Sequence, residues 1–156
     1  FLAVPSISSL PPFCNRMKTM KENHPPRWKA LIADDMLPMR NLLKMMLRKQ
    51  GVQDFIMAED GQEAVNLYNK ELEKGGEPDL ILLDIDMPRM NGIEMITKIR
   101  ANDKYSQIPI IVVSYKDREQ DRVVAMDAGA NHYVTKASFD SGEMMDRIRE
   151  LIGVTV

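Results

Sequence analysis

One cysteine, Cys14, and two histidines, His24 and His132, are all that this chain of 156 residues offers of the softer metal ligands. No internal disulfide can form, no cluster has the spacing of a zinc site, and a reducing, cytoplasmic setting is the simplest expectation. Positive charge is not in excess either: 21 Lys and Arg stand against 23 Asp and Glu, for a net charge of -2. Without a basic stripe there is nothing to track a phosphate backbone, so nucleic acid is not an expected direct partner. No apolar run approaches the roughly 20 residues of a membrane span. With 44% hydrophobic and 28% charged residues, the chain suits one ordinary globular domain and leaves no room for a second, catalytic one.

Residues 1–28 differ from the rest. Pro5, Pro11, Pro12, Pro25 and Pro26 are scattered among Ser and Asn with no sustained periodicity, and the segment is expected to be a flexible tail or linker. It lacks the basic start and continuous apolar stretch of a signal peptide. Met17 and Met20 are candidate natural starts, the other reading being a link to a further domain.

From Trp28 onward, short apolar runs alternate with helical patterns, which implies a parallel sheet covered by helices on both faces. The runs are Ala30 to Ala33, Phe55 to Ala58, Leu80 to Leu83, Ile110 to Val113, and Tyr133 to Val134 with their neighbours. Runs without polar alternation suit strands buried on both sides. Met39, Leu42, Leu43, Met46 and Leu47 repeat at helical steps before Gly51. Four later helices are expected to open on an acidic or amide cap followed by Glu or Gln: Asp60 with Glu63, Asn91 with Glu94, Asp117 with Gln120, and Asp140 with Glu143. Met144, Met145, Ile148, Leu151 and Ile152 form the stripe of the last helix.

In open sheets of this kind ligands sit outside the carboxyl ends of the strands, where strand order reverses. The first strand ends in Asp34 and Asp35, the third in Asp84, the fourth in Ser114, and the fifth leads to Lys136. Three carboxylates together repel one another unless a cation neutralises them. Oxygen-only ligands favour Mg2+, and a hydroxyl and an ammonium add donors for a tetrahedral dianion. The cluster reads as a phosphoryl holder. Each residue also has a plainer reading: Asp34 or Asp35 as a helix cap, Asp84 as a strand terminus, Ser114 as a turn hydroxyl, Lys136 as a solvated charge, Tyr133 as a packing residue. The 13 methionines read first as core filler and second as an adaptable binding surface.

"IADD", "LLDIDMPRMNG", "IIVVSYKD" and "YVTK", in that order and each at a strand end, resemble the receiver domain of two-component response regulators. The resemblance covers about residues 29 to 153, so residues 29–156 are expected to form a receiver domain. It implies a flavodoxin-like, doubly wound sheet of five parallel strands in the order 2-1-3-4-5 with five helices. The segment "DREQDRVVAMDAGANHYVTKASFDS" further resembles receivers that work with chemotaxis-type histidine kinases.

Carried over by residue, the resemblance implies that Asp84 accepts a phosphoryl group from a phosphohistidine on a partner histidine kinase or phosphotransfer protein. It implies Mg2+ bound by Asp35 directly, by Asp34 largely through water, by Asp84, and by the backbone carbonyl of Asp86. Lys136 would hold a phosphoryl oxygen, Ser114 would move to hydrogen-bond the group, and Tyr133 would turn from exposed to buried. The surface of the fourth helix, fifth strand and fifth helix would then control a downstream protein. Such a domain is a signalling switch rather than an enzyme.

Two positions depart from the family pattern: Ala137 follows Lys136 where a proline is common, and bulky Tyr115 follows Ser114. Two alternatives stand beside this reading. One is a haloacid-dehalogenase-type phosphatase using Asp84 and Asp86, although that pair normally follows the first strand. The other is a receiver that binds its partner without phosphorylation, which the intact acidic set argues against.

Overall fold

The computed structural model describes residues 27–102 and 107–152. Five parallel strands lie in the order β2-β1-β3-β4-β5. In chain order the elements are β1 (Trp28–Ala33), α1 (Leu37–Lys49), β2 (Val52–Ala58), α2 (Gly61–Glu73), β3 (Leu80–Leu83), α3 (Gly92–Arg100), β4 (Ile110–Ser114), α4 (Glu119–Ala128), β5 (His132–Thr135), a 3-10 turn (Lys136–Ser141) and α5 (Glu143–Ile152). This is the flavodoxin-like arrangement expected. The expected tail over 1–28 lies outside the described residues apart from Arg27 and Trp28, and Trp28 is already the first residue of β1.

Strand alternation sorts the core into two layers. Leu31, Ala33, Ile81, Leu83, Ile110 and Val112 point to one face, where Tyr68 of α2, Met95, Ile96 and Ile99 of α3 and Ala125 of α4 cover them. Ala30, Ile32, Leu80, Leu82, Ile111 and Val113 point to the other, beneath Leu43 and Leu47 of α1 and Met144 and Ile148 of α5. β3 sits mid-sheet and all four of its residues are buried. β2 is an edge strand, and Phe55, Ile56 and Met57 are only half-buried. It also begins at Val52, earlier than the apolar run suggests, because Val52 and Asp54 pair with Trp28 and Lys29 of β1, while Gln53 between them is skipped at a register shift.

Two of the expected caps form: Asp60 accepts from Glu63 N at 2.8 Å and Asn91 from Glu94 N at 2.9 Å. Asp117 does not cap α4. That helix starts after Arg118 with no side-chain cap bond, and the Arg118 guanidinium reaches forward to Asp121 instead. For α5, the amide of Asp146 bonds to the carbonyl of Gly142, which takes the place expected for Asp140; the side chains of Asp140, Leu151 and Ile152 lie outside the described residues.

The loop from β3 to α3 is tied down at both ends. A Cβ on Gly61 would sit 2.2 Å from the Met90 carbonyl, so only glycine lets α2 approach, and the Arg89 guanidinium, on a residue with φ 63, pairs with Asp60. At the other end a Cβ on Gly92 would sit 2.2 Å from the Asp84 carbonyl and 2.8 Å from Leu83 Cδ1. Gly92→Ala therefore forces the backbone beneath Asp84 to move, and should destabilise the fold by about 1–3 kcal/mol in urea denaturation. Unchanged stability would show that this loop yields freely.

Candidate functional site at the carboxyl edge of the sheet

Register brings the acids together. Ala33 pairs with Leu83, so the next residues, Asp34 and Asp84, leave neighbouring strands side by side at the point where strand order reverses. Asp84 N completes the ladder to the Ala33 carbonyl at 2.9 Å. On the other flank Ser114 pairs with Thr135, which puts Lys136 one step past the strand end, at the start of the 3-10 turn.

Lys136 Nζ lies 2.8 Å from both Asp34 Oδ2 and Asp84 Oδ2, with Lys136 and Asp34 side chains only 1% exposed. The contact with Asp84 is a directed hydrogen bond. Asp34 Oδ2 is near the ammonium but accepts no directed hydrogen bond, leaving a buried, under-satisfied carboxylate oxygen. The other oxygens are held by main chain: Asp34 Oδ1 accepts from Met36 N at 2.8 Å, and Asp84 Oδ1 from Ile85 N at 2.7 Å. Asp34 thus braces the turn before α1 but does not cap the helix as its plainer reading has it, since the N-cap is Met36 and no side-chain cap bond forms. Asp35 is exposed, yet one carboxylate oxygen from each of Asp34, Asp35 and Asp84 lies within 4.8 Å of the others.

Two of the three carboxylates, Asp34 and Asp84, share one ammonium. Burial, the largest influence, pushes the Asp34 carboxyl above its ordinary pKa, against the contacts with Lys136 and Met36 N that lower it. For Lys136 burial is again the largest single influence and disfavours the ammonium, but Asp34 and Asp84 together outweigh it and raise the pKa above the ordinary 10.5. The stabilisation from this ammonium is therefore complete below pH 10.5 and is lost as pH rises through the higher folded value. An oxygen-only donor set with excess negative charge and an under-satisfied buried oxygen fits a hard dication.

Ser114 is buried, and its Oγ accepts from Lys116 N at 3.2 Å. Tyr133, expected to move from exposed to buried, stands in the buried position: its hydroxyl donates to the Lys116 carbonyl at 2.6 Å. Arg122 of α4 lies over the ring at 5.2 Å from its centre. Burial raises the Tyr133 pKa. The Asp86 side chain turns out to solvent, where it meets Lys116 Nζ at 3.3 Å, and it is not among the carboxylates clustered with Asp84. Tyr115 is 64% exposed, and its ring centre lies 5.0 Å from Lys136 Nζ, across the mouth of the cluster. Ala137 sits within the 3-10 turn, and no cis peptide bond occurs among the described residues.

Sequence reasoning misses Arg40, whose Nη1 donates to the Asp34 carbonyl at 2.6 Å, as well as Lys116 and Arg122. A single basic residue on a helix or loop carries no pattern that separates it from a solvated charge.

Comparison with known proteins agrees with this geometry. The response regulator receiver domain matches residues 30–149. The chemotaxis protein CheY homolog of Campylobacter jejuni is 34% identical over 125 residues, 80% of this chain and 92% of that protein. Among solved structures, the phosphorylated cyanobacterial phytochrome response regulator RcpA superposes with a TM-score of 0.72 at 26% identity, over 84% of this chain and 97% of that one. The CheX-CheY-BeF3-Mg2+ complex of Borrelia burgdorferi gives 0.71 at 27% identity, over 82% and 90%. The buried strand that delivers Asp84 to the switch point is thus the central strand of a CheY-like fold, and the chain belongs to the response regulator receiver domain family of two-component signalling.

Proposed function

We propose that this receiver is a phosphorylation-operated switch in which Asp84 takes a phosphoryl group from a phosphohistidine of a histidine kinase or phosphotransfer protein. The observation that carries the reading is the pairing of buried Asp84 with Lys136 at 2.8 Å inside a three-carboxylate cluster at the switch point of the sheet. An Asp84 carboxylate oxygen attacks phosphorus. The P–N bond breaks, its electron pair returns to the imidazole nitrogen, and the product is an acyl phosphate. Transfer of this kind needs mainly positioning and charge neutralisation.

Asp34, Asp35 and Asp84, with the backbone carbonyl of Asp86, are the residues that would hold Mg2+. When bound, the ion would neutralise the charge shared by carboxylate and phosphoryl oxygens. Phosphorylation and Mg2+ are named for RcpA and for the Borrelia complex respectively, which supports extending both to this chain. Lys136 holds Asp84 before transfer and a phosphoryl oxygen after it. Ser114 Oγ accepts from Lys116 N and its side chain also meets the Tyr133 hydroxyl, so a shift of Ser114 toward the phosphoryl group draws on the β4–α4 loop. Lys116 also receives the Tyr133 hydroxyl, so that shift reaches the face of α4, β5 and α5. α4 also leaves Val123 and Met126 exposed, apolar surface available to a downstream partner. The fitting setting is the cytoplasm, where such kinases present their phosphohistidine.

Labelled phosphohistidine kinase or acetyl phosphate, with Mg2+, tests the reading. The expected product is one alkali-labile phosphoryl group per chain in a single turnover. Steady hydrolysis of a generic phosphate ester would point instead to the phosphatase alternative, and no label at all to a receiver working without phosphorylation. Tyr115 should shield the product from water, so Tyr115→Ala is expected to shorten its lifetime roughly fivefold, the rate equivalent of about 1 kcal/mol. An unchanged decay of label would remove that role.

A further inference from the structure

The turn that carries Asp34 and Asp35 is anchored at three atoms. Asp34 N donates to the Ala58 carbonyl at 3.1 Å, Asp34 Oδ1 accepts from Met36 N, and the Asp34 carbonyl accepts from Arg40 Nη1 at 2.6 Å. The first bond continues the sheet and the second is local. The third comes from a charged side chain on the opening turn of α1, itself registered by its own amide on the Met36 carbonyl at 3.1 Å. That Asp34 carbonyl belongs to the peptide joining Asp34 to Asp35, so its direction sets the plane from which the Asp35 side chain leaves. Asp35 is exposed, and its aim depends on the backbone beneath it.

We propose that Arg40 is a positioning residue for the dication site: by holding the Asp34 carbonyl it orients the Asp34–Asp35 peptide so that both carboxylates converge with Asp84. The inference rests on reading those carboxylates as the Mg2+ site. Charge and position make opposite predictions here. A guanidinium one peptide away from the cluster repels a dication, so if it acted through charge alone its removal would tighten Mg2+ binding. If it acts by orientation, removal loosens binding, as loss of an outer partner of metal ligands generally does, by about 10–100-fold.

The test is a Mg2+ titration of phosphate-free protein followed by backbone amide shifts at Asp84 and Ser114, with thermal unfolding of the Mg2+-free protein measured in parallel. Arg40→Met keeps the aliphatic stem and its packing, and should weaken Mg2+ binding about tenfold. Arg40→Lys, a donor without the planar fork, should fall between that variant and wild type. Equal or tighter Mg2+ binding in Arg40→Met overturns the proposal, as does a lowered unfolding midpoint with Mg2+ affinity unchanged, which would make Arg40 merely structural. Failure of the wild-type protein to bind Mg2+ saturably would instead sink the metal reading on which this one stands.

Discussion

Asp84→Asn should take up no label above background, from a phosphorylated kinase or from acetyl phosphate, while remaining folded. The substitution preserves shape: an asparagine carbonyl oxygen can still accept the Ile85 amide, which reaches Asp84 Oδ1 at 2.7 Å. What it removes is the anionic oxygen that attacks phosphorus, and the amide offers no comparable nucleophile. It also removes one of the two carboxylates that face Lys136, leaving the Asp34 contact to keep the ammonium in place. Two donors are needed in the experiment because Tyr115 spans the mouth of the site and can hinder a small donor differently from a docked kinase. Stoichiometric label on Asp84→Asn would mean that another residue is the acceptor.

The second large effect is expected at Lys136. Lys136→Met replaces the ammonium that two buried carboxylates share with an apolar chain of similar length. Removing one partner of a buried ion pair strands the other charge, at a typical cost of about 3–5 kcal/mol. The loss should depend on pH in a definite direction. Wild-type Asp34 already has a raised carboxyl pKa, chiefly through burial, and without Lys136 the influences that hold it down are reduced to the Met36 amide. A carboxyl whose folded pKa exceeds its unfolded value takes up its proton earlier in the fold, so stability falls as pH rises through that range and returns as pH drops. Urea denaturation at about pH 7 should show most of the loss, and at about pH 5 less of it. Added Mg2+ should restore part of the stability near neutral pH by supplying the missing positive charge. A loss below about 1 kcal/mol near neutral pH would show that the carboxylates do not rely on this lysine.

Both predictions use residues that the sequence alone brings forward. Asp34, Asp84, Ser114 and Lys136 are found by one rule, which is to inspect the polar residues just beyond each apolar run. The rule works because strands in this fold run parallel, so every strand end arrives at the same edge. Strand starts are less legible. Trp28 and Lys29 join β1, and Val52 to Asp54 join β2, although Lys29, Gln53 and Asp54 break the apolar pattern. Backbone pairing recruits Lys29 and Asp54 whatever their side chains, and Gln53 enters with them as the residue skipped at the register shift. Asp117 makes no cap for a related reason, since a capping pattern says that an acceptor is available and not where the first helical turn closes.

Local properties of the chain, its apolar runs of strand length, its helical repeats and the acids and lysine at the ends of the runs, are enough to specify a doubly wound sheet and the composition of its site. They are legible because hydrophobic periodicity is a property of neighbours in the chain. Contacts between distant residues are decided in space. Folding sets the Asp86 side chain against Lys116 rather than Asp84, lays the Tyr115 ring across Lys136, clamps Arg89 to Asp60, and turns Arg40 onto the Asp34 carbonyl. Each of those is a charged or aromatic side chain that satisfies its own pattern equally well in solvent, and only the packing of loops and helices over the switch point selects the partner it meets.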